Sequence, residues 1–329
     1  MSAAPLLEVT DLRVEFRTRG GVLPAVRGVS LRLEAGQTLG IVGESGSGKS
    51  VTMMAAMGLL PPSAHVTGSV RLAGRELLGL GPRALQAVRG ARMAMIFQDP
   101  MSALNPVMTV GAQIVEAIRL HNRDLPARAA LERAVELLAT VSIPQPRDRV
   151  RQYPHEFSGG MRQRVMIAMA VANQPDLLIA DEPTTALDVT VQAQILDMLT
   201  RLREDLGIGL VLITHDLGVV AGCADAVAVM YAGRVVETAG TDDLFYRTRH
   251  PYTIGLLGAV PRVEGEFSPL VPVEGAPPTL SRLPAGCAFH PRCGWAVPRC
   301  RSEVPELRAV GAVRSACHRA EDLAPEAVL

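Results

Sequence analysis

Lysine is almost absent from this chain of 329 residues: of its 33 lysines and arginines, Lys49 alone is lysine. Arginine serves wherever only a cation is needed, so a single lysine marks a place that requires a compact ammonium rather than a planar guanidinium. Aromatic residues make up 3% and hydrophobic residues 48%, a composition that suits Ala-, Val- and Leu-rich helices interleaved with parallel strands in a cytosolic α/β protein. The formal net charge is zero, which removes any overall electrostatic pull toward nucleic acid. No apolar run approaches the roughly 20 residues needed to cross a bilayer. The best candidate, residues 219–230, is broken by Asp225. Residues 1–11 lack the basic start and apolar stretch of a secretory signal, so work at a membrane would fall to other chains for the spanning part. Five cysteines, an odd number with four beyond residue 286, do not make the even framework of a small secreted domain.

What is present begins at the lone lysine. Gly43-Glu44-Ser45-Gly46-Ser47-Gly48-Lys49-Ser50 fits G-x-x-x-x-G-K-[ST], a loop whose backbone N–H groups cradle nucleotide phosphates. In that pattern the lysine reaches the terminal phosphates and the Ser50 hydroxyl holds Mg²⁺. The apolar run 38–42 before it reads as a strand and residues 50–60 as a helix, so the loop sits at a helix N-terminus, where free N–H groups and the dipole favour phosphate. Residues 7–16 and 30–33 read as strands of a small N-terminal antiparallel subdomain. Helical patterns at 110–120 and 127–141 predict an inserted helical subdomain over about 101–172. The buried-strand runs 177–180 and 210–214 flank a helix over 189–206, as in a parallel sheet with its chemistry at the strands' carboxyl ends. Residues 227–231 and 234–238 read as a hairpin around Ala232-Gly233. Six prolines between 261 and 284 then predict irregular chain, dividing a nucleotide domain over 1–249 from a cysteine-bearing extension over 250–329.

Asp181 and Glu182 directly follow the strand at 177–180. In nucleotide hydrolases an aspartate so placed helps hold Mg²⁺ and the adjacent glutamate can polarise the attacking water. Further upstream, Phe157-Ser158-Gly159-Gly160-Met161 can cap a helix at Ser158 and leave bare N–H groups for a γ-phosphate. This stretch resembles the LSGGQ signature of ABC ATPases, a branch of the P-loop NTPases, with Phe157 for Leu and Met161 for Gln. The resemblance implies roles for other positions. Gln98 matches the Q-loop glutamine that contacts Mg²⁺ and water; Asp188, after Ala186-Leu187, matches the D-loop; His215 matches the switch histidine at the γ-phosphate; Phe16 matches the aromatic that stacks on adenine. It also implies two ATP molecules held between two head-to-tail nucleotide domains, the phosphate loop of each completed by Ser158, Gly159, Gly160 and Met161 of the other.

Residues 96–106, 161–195 and His250-Pro251-Tyr252-Thr253 closely resemble the ATP-binding subunits of bacterial dipeptide/oligopeptide importers. That family implies a second like or paralogous ATPase, two transmembrane permease subunits and an extracytoplasmic peptide-binding protein, with this chain peripheral on the cytoplasmic face of the cell membrane. The same ATPase type serves importers of nickel and other small solutes, and cargo stays open because the ATPase does not touch it. A soluble ABC ATPase acting on DNA or ribosomes is the rival, disfavoured by the zero net charge and the lack of a sustained heptad. Cys287, Cys293, Cys300 and Cys317 are separated by five, six and sixteen residues. Their spacing is compatible with a zinc site or with free structural thiols, although it contains no C-x₂₋₄-C knuckle. The family resemblance implies a [4Fe–4S] cluster more than Zn²⁺. Cys223 is expected to be a buried core thiol. Arg262, Arg282, Arg292, Arg299 and Arg301 read as a solvated or interface-facing charged surface of the extension.

Overall fold

The computed structural model describes residues 4–185, 187–259 and 273–323, and the position of Ala186 and the proline-bearing stretch 260–272 lie outside the described residues. In chain order the strands are β1 (Leu7–Thr18), β2 (Gly21–Leu33), β3 (Thr38–Val42), β4 (Ala64–Leu72), β5 (Arg75–Glu76), β6 (Met93–Ile96), β7 (Leu177–Asp181), β8 (Gly209–Thr214), β9 (Ala226–Tyr231), β10 (Arg234–Gly240), β11 (Arg308–Val310) and β12 (Val313–Ser315). The principal helices are α1 (Lys49–Ala56), α2 (Val110–His121), α3 (Ala127–Thr140), α4 (Gly159–Val171), α5 (Val189–Leu206) and α6 (Pro251–Leu257). The chain divides into two compact units, one of Met1–Leu33, Thr38–Leu78 and Leu212–Leu329, the other of Glu34–Gln37 and Gly79–Val211. No helix among the described residues is long and apolar enough to cross a membrane.

In the first unit β1 pairs antiparallel with β2 on one side and β4 on the other, and β5 extends β4. Leu7 and Val9 face the core from odd positions, Leu12 and Val14 from even ones. A register shift between Val9 and Leu12, with Asp11 at φ 44°, supplies the extra residue that changes the phase. That bulge explains why the alternation in the sequence is loose. β2 is far longer than the expected strand at 30–33, because Pro24 and Gly28 hide its earlier half from a propensity reading. β3, buried at all five positions, pairs parallel with β9, and β9 and β10 form the expected hairpin. Its two-residue turn, Ala232 at φ 46° and Gly233 at φ 78°, has the left-handed conformations of a type I′ connection. β12 pairs with β10, and β11 with β12, so the largely irregular cysteine-bearing extension adds two short strands beside the phosphate-loop strand's own sheet.

In the second unit β6 runs parallel to β7, Met93 opposite Leu177 through Ile96 opposite Ala180. Both strands are buried throughout, as expected for central parallel strands. The helices α2 and α3 lie close to the expected ranges, and α5 coincides with the 3.6-residue pattern over 189–206. Its stripe of Ile195, Leu199 and Leu202 is buried, and Gly207, at φ 64°, ends it in the left-handed conformation that favours glycine.

Candidate functional site

The phosphate loop joins β3 to α1 inside the first unit. Gly43, at φ 155°, passes so close to the β9 edge that an added Cβ would lie 2.2 Å from the Met230 carbonyl oxygen. Gly48 sits at φ 100°, where a Cβ would meet the Ala25 carbonyl oxygen at 2.7 Å. These two glycines are therefore obligatory for different neighbours, β9 and β2. The hairpin turn completes the frame: the Gly233 N–H donates to the Ser47 carbonyl at 2.9 Å, and the Arg27 N–H donates to the Gly233 carbonyl at 2.7 Å. Gly48 caps α1 with no side-chain oxygen, so the N-terminal end of the helix dipole is turned to the loop, where it favours an anion. Lys49 is 5% exposed and turns back over the loop, its Nζ donating to the carbonyls of Gly43 at 2.6 Å and Glu44 at 3.2 Å. Ser47 Oγ is buried without a hydrogen-bond partner among the described residues, the kind of orphaned donor a phosphate oxygen would satisfy. Ser45 and Gly46 are exposed at the loop's crest, and Ser50 is half-buried in the first turn of α1.

Beside the loop a cleft of about 380 Å³ is walled by Glu44, Ser45, Gly46 and Ser47 and by residues 277–281 of the extension. Leu23 also lines it, and Leu23 is the cross-strand partner of half-exposed Phe16, the adenine-stacking candidate on β1. His215 follows β8 and is exposed in the same unit.

The front of the loop is held by groups that motif reading did not single out as site residues. Glu44 receives both guanidinium nitrogens of Arg292, Nη1 to Oε2 at 2.7 Å and Nη2 to Oε1 at 2.9 Å. Its backbone N–H donates to the Tyr252 hydroxyl at 2.8 Å. Tyr252, Tyr231 and Phe289 form a three-ring cluster with centroids 4.6 to 5.4 Å apart. Burial pushes the Tyr252 phenol above its ordinary range, so it stays protonated. Of the two expectations for Arg292, a solvated or an interface-facing surface, the structure departs from the solvated one: its side chain is only 6% exposed. Two clues were available in the sequence. An acidic residue inside an anion-binding loop calls for a cation, and the scarce aromatics had to be used somewhere.

The second unit holds the remaining motif residues. The β6–β7 ladder ends with Ile96 opposite Ala180, and two residues beyond each of these Gln98 Nε2 donates to Glu182 Oε2 at 2.9 Å. Thr185 Oγ1 donates to the same oxygen at 2.9 Å. Glu182 adopts φ 46°, a left-handed conformation that costs a non-glycine residue free energy and is often found where a side chain is aimed for function. Asp181, one residue earlier, is buried at 6% exposure, the last residue of β7. Ser158 caps α4 by accepting from the Met161 N–H at 3.3 Å, and Asp188 caps α5 by accepting from the Val191 N–H at 2.9 Å. These two helix starts touch: a Cβ on Gly160 would meet Val191 Cγ1 at 2.7 Å, whereas one on Gly159 finds only Leu187 at 3.8 Å. Phe157, the departure from leucine, is buried at 3% and anchors the helix entrance; Met161 is half-buried.

The metal expected in the cysteine tail finds no support among the described residues. Among the described residues no group of three or more His, Cys, Asp or Glu side chains is placed to hold a metal, although all four tail cysteines are described. The thiols are near enough to oppose one another's ionisation, and burial foremost, then the other three cysteines, pushes Cys317 up to about 12. Burial likewise raises Cys287 and Cys293. His290 and His318 are engaged with the carbonyls of Cys287 and Glu303. Cys223 is half-buried rather than a full core residue, its thiol bonded to the Val219 carbonyl.

Known proteins share this arrangement. A family profile described as ABC transporter matches residues 26–185, and one described as Oligopeptide/dipeptide transporter, C-terminal region, matches residues 236–300. The oligopeptide transport ATP-binding protein OppD of Salmonella typhimurium is 52% identical over 97% of this chain and 95% of its own length. The chain belongs to the oligopeptide/dipeptide transport ATP-binding protein family. The OppD of Mycobacterium tuberculosis is 58% identical over 97% of the chain, but the chain spans only 52% of that protein. Among solved structures, the dimeric ATP-binding cassette MJ0796 in a post-hydrolysis state bound to ADP and Pi is 26% identical with a TM-score of 0.65, covering 71% of this chain and 98% of that one. Membership in this family accounts for both the P-loop NTPase fold and the cysteine-bearing extension.

Proposed function

We propose that the chain is the ATP-hydrolysing subunit of an importer for dipeptides or oligopeptides. In this reading Mg·ATP is the substrate. Lys49 and the N-terminus of α1 bind the β- and γ-phosphates, Ser50 and Asp181 hold Mg²⁺, and Glu182 polarises the attacking water. His215 contacts the γ-phosphate, Phe16 stacks on adenine, and Ser158 to Met161 with Asp188 serve the site of a second, like or paralogous subunit. Catalysis is then positioning and charge neutralisation, with little covalent work for the protein. The reading places the 1–249 nucleotide domain and the 250–329 extension peripherally on the cytoplasmic face of a membrane, beneath two permease subunits supplied with peptide by an extracytoplasmic binding protein. It assigns no metal to the tail; stoichiometric iron and sulfide, or one zinc, in anaerobically purified protein would reinstate its four cysteines as ligands.

The observation that best supports hydrolysis is the Gln98–Glu182 hydrogen bond at the ends of two parallel strands, next to buried Asp181. Two donors on one oxygen fix the orientation of that carboxylate, as a group that must polarise a water requires. Steady-state ATPase assays across protein concentration test the composite site: activity per chain should rise as chains associate, and full activity in strictly monomeric protein rejects it.

A further inference from the structure

A carboxylate is electrostatically out of place in an anion-binding loop. Glu44 is the second residue of the phosphate loop, and an unneutralised charge there would repel an incoming nucleotide triphosphate in a partly desolvated setting, where Coulomb terms are strong. We propose that Arg292, supplied by the C-terminal extension, is a positioning residue of the nucleotide site. It neutralises Glu44 and locks the front of the loop in its phosphate-binding shape. The proposal rests on the ATPase reading above and assigns that site a residue 248 positions away in the chain.

The guanidinium is built in rather than draped over the surface. Its Nε donates to the Glu274 carbonyl at 2.8 Å, and Nη2 donates to the carbonyls of Val273 at 3.2 Å and Gly275 at 3.1 Å. Nη1 donates to the Tyr231 hydroxyl at 3.3 Å, and the guanidinium carbon lies 5.8 Å from the Tyr231 ring centroid and 5.9 Å from that of Phe289. Exposed ion pairs contribute little, but removing one partner of a buried, bidentate pair leaves an uncompensated charge. Glu44 is the less buried partner, 27% exposed, so its unpaired carboxylate would face the cleft. Tyr252 holds the Glu44 N–H from behind while Arg292 holds its side chain, so backbone and carboxylate of the same loop residue are both fixed by residues beyond 249. Lysine could not replace Arg292, because one ammonium cannot span both oxygens of Glu44 and the ring of carbonyls together.

The test is equilibrium binding of a fluorescent ATP analogue with Mg²⁺ to the full chain, alongside ATPase kinetics and a thermal melt. Arg292→Ala is expected to weaken nucleotide binding about tenfold, the scale of losing a charge-assisted bidentate pair, with the effect on Kd and KM rather than kcat. Adding Glu44→Gln removes the charge that needs neutralising and should return affinity to within about threefold of the parent. If Arg292→Ala melts out, Arg292→Gln keeps a donor for the three carbonyls and should show the same loss and the same rescue. Unchanged affinity in the arginine variants overturns the proposal; so does equal weakness with and without Glu44→Gln, which would make Arg292 a packing residue only. A parent protein that binds no ATP instead overturns the ATPase reading.

Discussion

Two helix N-termini with anion-binding potential are built on opposite principles. At α1 the phosphate loop is gripped from several directions: by the β9 edge at Gly43, by Ala25 of β2 at Gly48, by the hairpin turn at Ser47, and by Arg292 and Tyr252 at Glu44. At α4 the start of the helix has one local cap, Ser158 to Met161, and Ser158 and Gly159 are exposed. The first is finished within its own unit, a preformed cradle whose ordering cost is met on folding rather than on binding. The second offers an open helix end, the shape expected of a surface whose ligand arrives on another subunit. Distortion at α1 should therefore harm folding and nucleotide binding together, and distortion at α4 should harm turnover while nucleotide binding to the phosphate loop persists.

Glu182→Gln should lower steady-state ATP hydrolysis at least about a hundredfold while ATP binding persists, since it removes the base and keeps the shape. Near-normal turnover in that variant would remove Glu182 from its role. Next in size, Gly43→Ala drives a Cβ toward the Met230 carbonyl; urea unfolding should show a loss of about 2–3 kcal/mol, and nucleotide binding should disappear with it. The matching change at the open end, Gly159→Ala, meets only ordinary contact, so stability should stay within about 0.5 kcal/mol while hydrolysis falls. Equal destabilisation by the two alanines would erase the contrast. Ser158→Ala loses the α4 cap at a cost of about 1 kcal/mol, read as a shift in the urea midpoint, with ATP binding to the phosphate loop unaffected.

The same comparison extends to a pH dependence on the side of the grip formed with the extension. Burial foremost raises Glu237 from 4.5 to about 7, against the opposing hydrogen bonds from the Thr248 hydroxyl and the Arg249 N–H. Burial lowers His250 from 6.5 to about 3. For Glu237 the folded state holds the proton more tightly, so its contribution is complete below pH 4.5 and is lost as pH rises through about 7. For His250 the sign reverses, and its contribution is lost as pH falls from 6.5 toward 3. The slopes oppose between about pH 4.5 and 6.5, where stability should be nearly flat. Glu237→Gln should uncover a steady decline on acidification in that window; a curve superimposable on the parent would show that Glu237 does not titrate in the folded protein.

Most of the chemistry was legible because it is local. The loop from Gly43 to Ser50, the carboxylates at the end of β7 and the apolar period of α5 each occupy one short stretch of chain and follow from backbone conformation and side-chain spacing. The bulge at Asp11 and the early half of β2 escaped notice because a phase change and a proline blur the alternation on which strand reading depends. The tail was the least legible part: Arg292 was read as part of a solvated or interface-facing surface and is buried against the phosphate loop, and the metal expected at the four cysteines finds no support among the described residues. Both depend on where loops without periodicity come to rest. Sequence alone determined that this protein carries a nucleotide-phosphate loop, an Asp-Glu pair at the end of an apolar strand and an ABC-type signature, because each needs particular residue types at short fixed spacing. Only the tertiary structure decided that the loop's own acidic residue is answered by an arginine of the far C-terminal segment. That pairing joins residues 248 apart through burial, ring packing and a fork of hydrogen bonds, none of which leaves a period or motif in the chain.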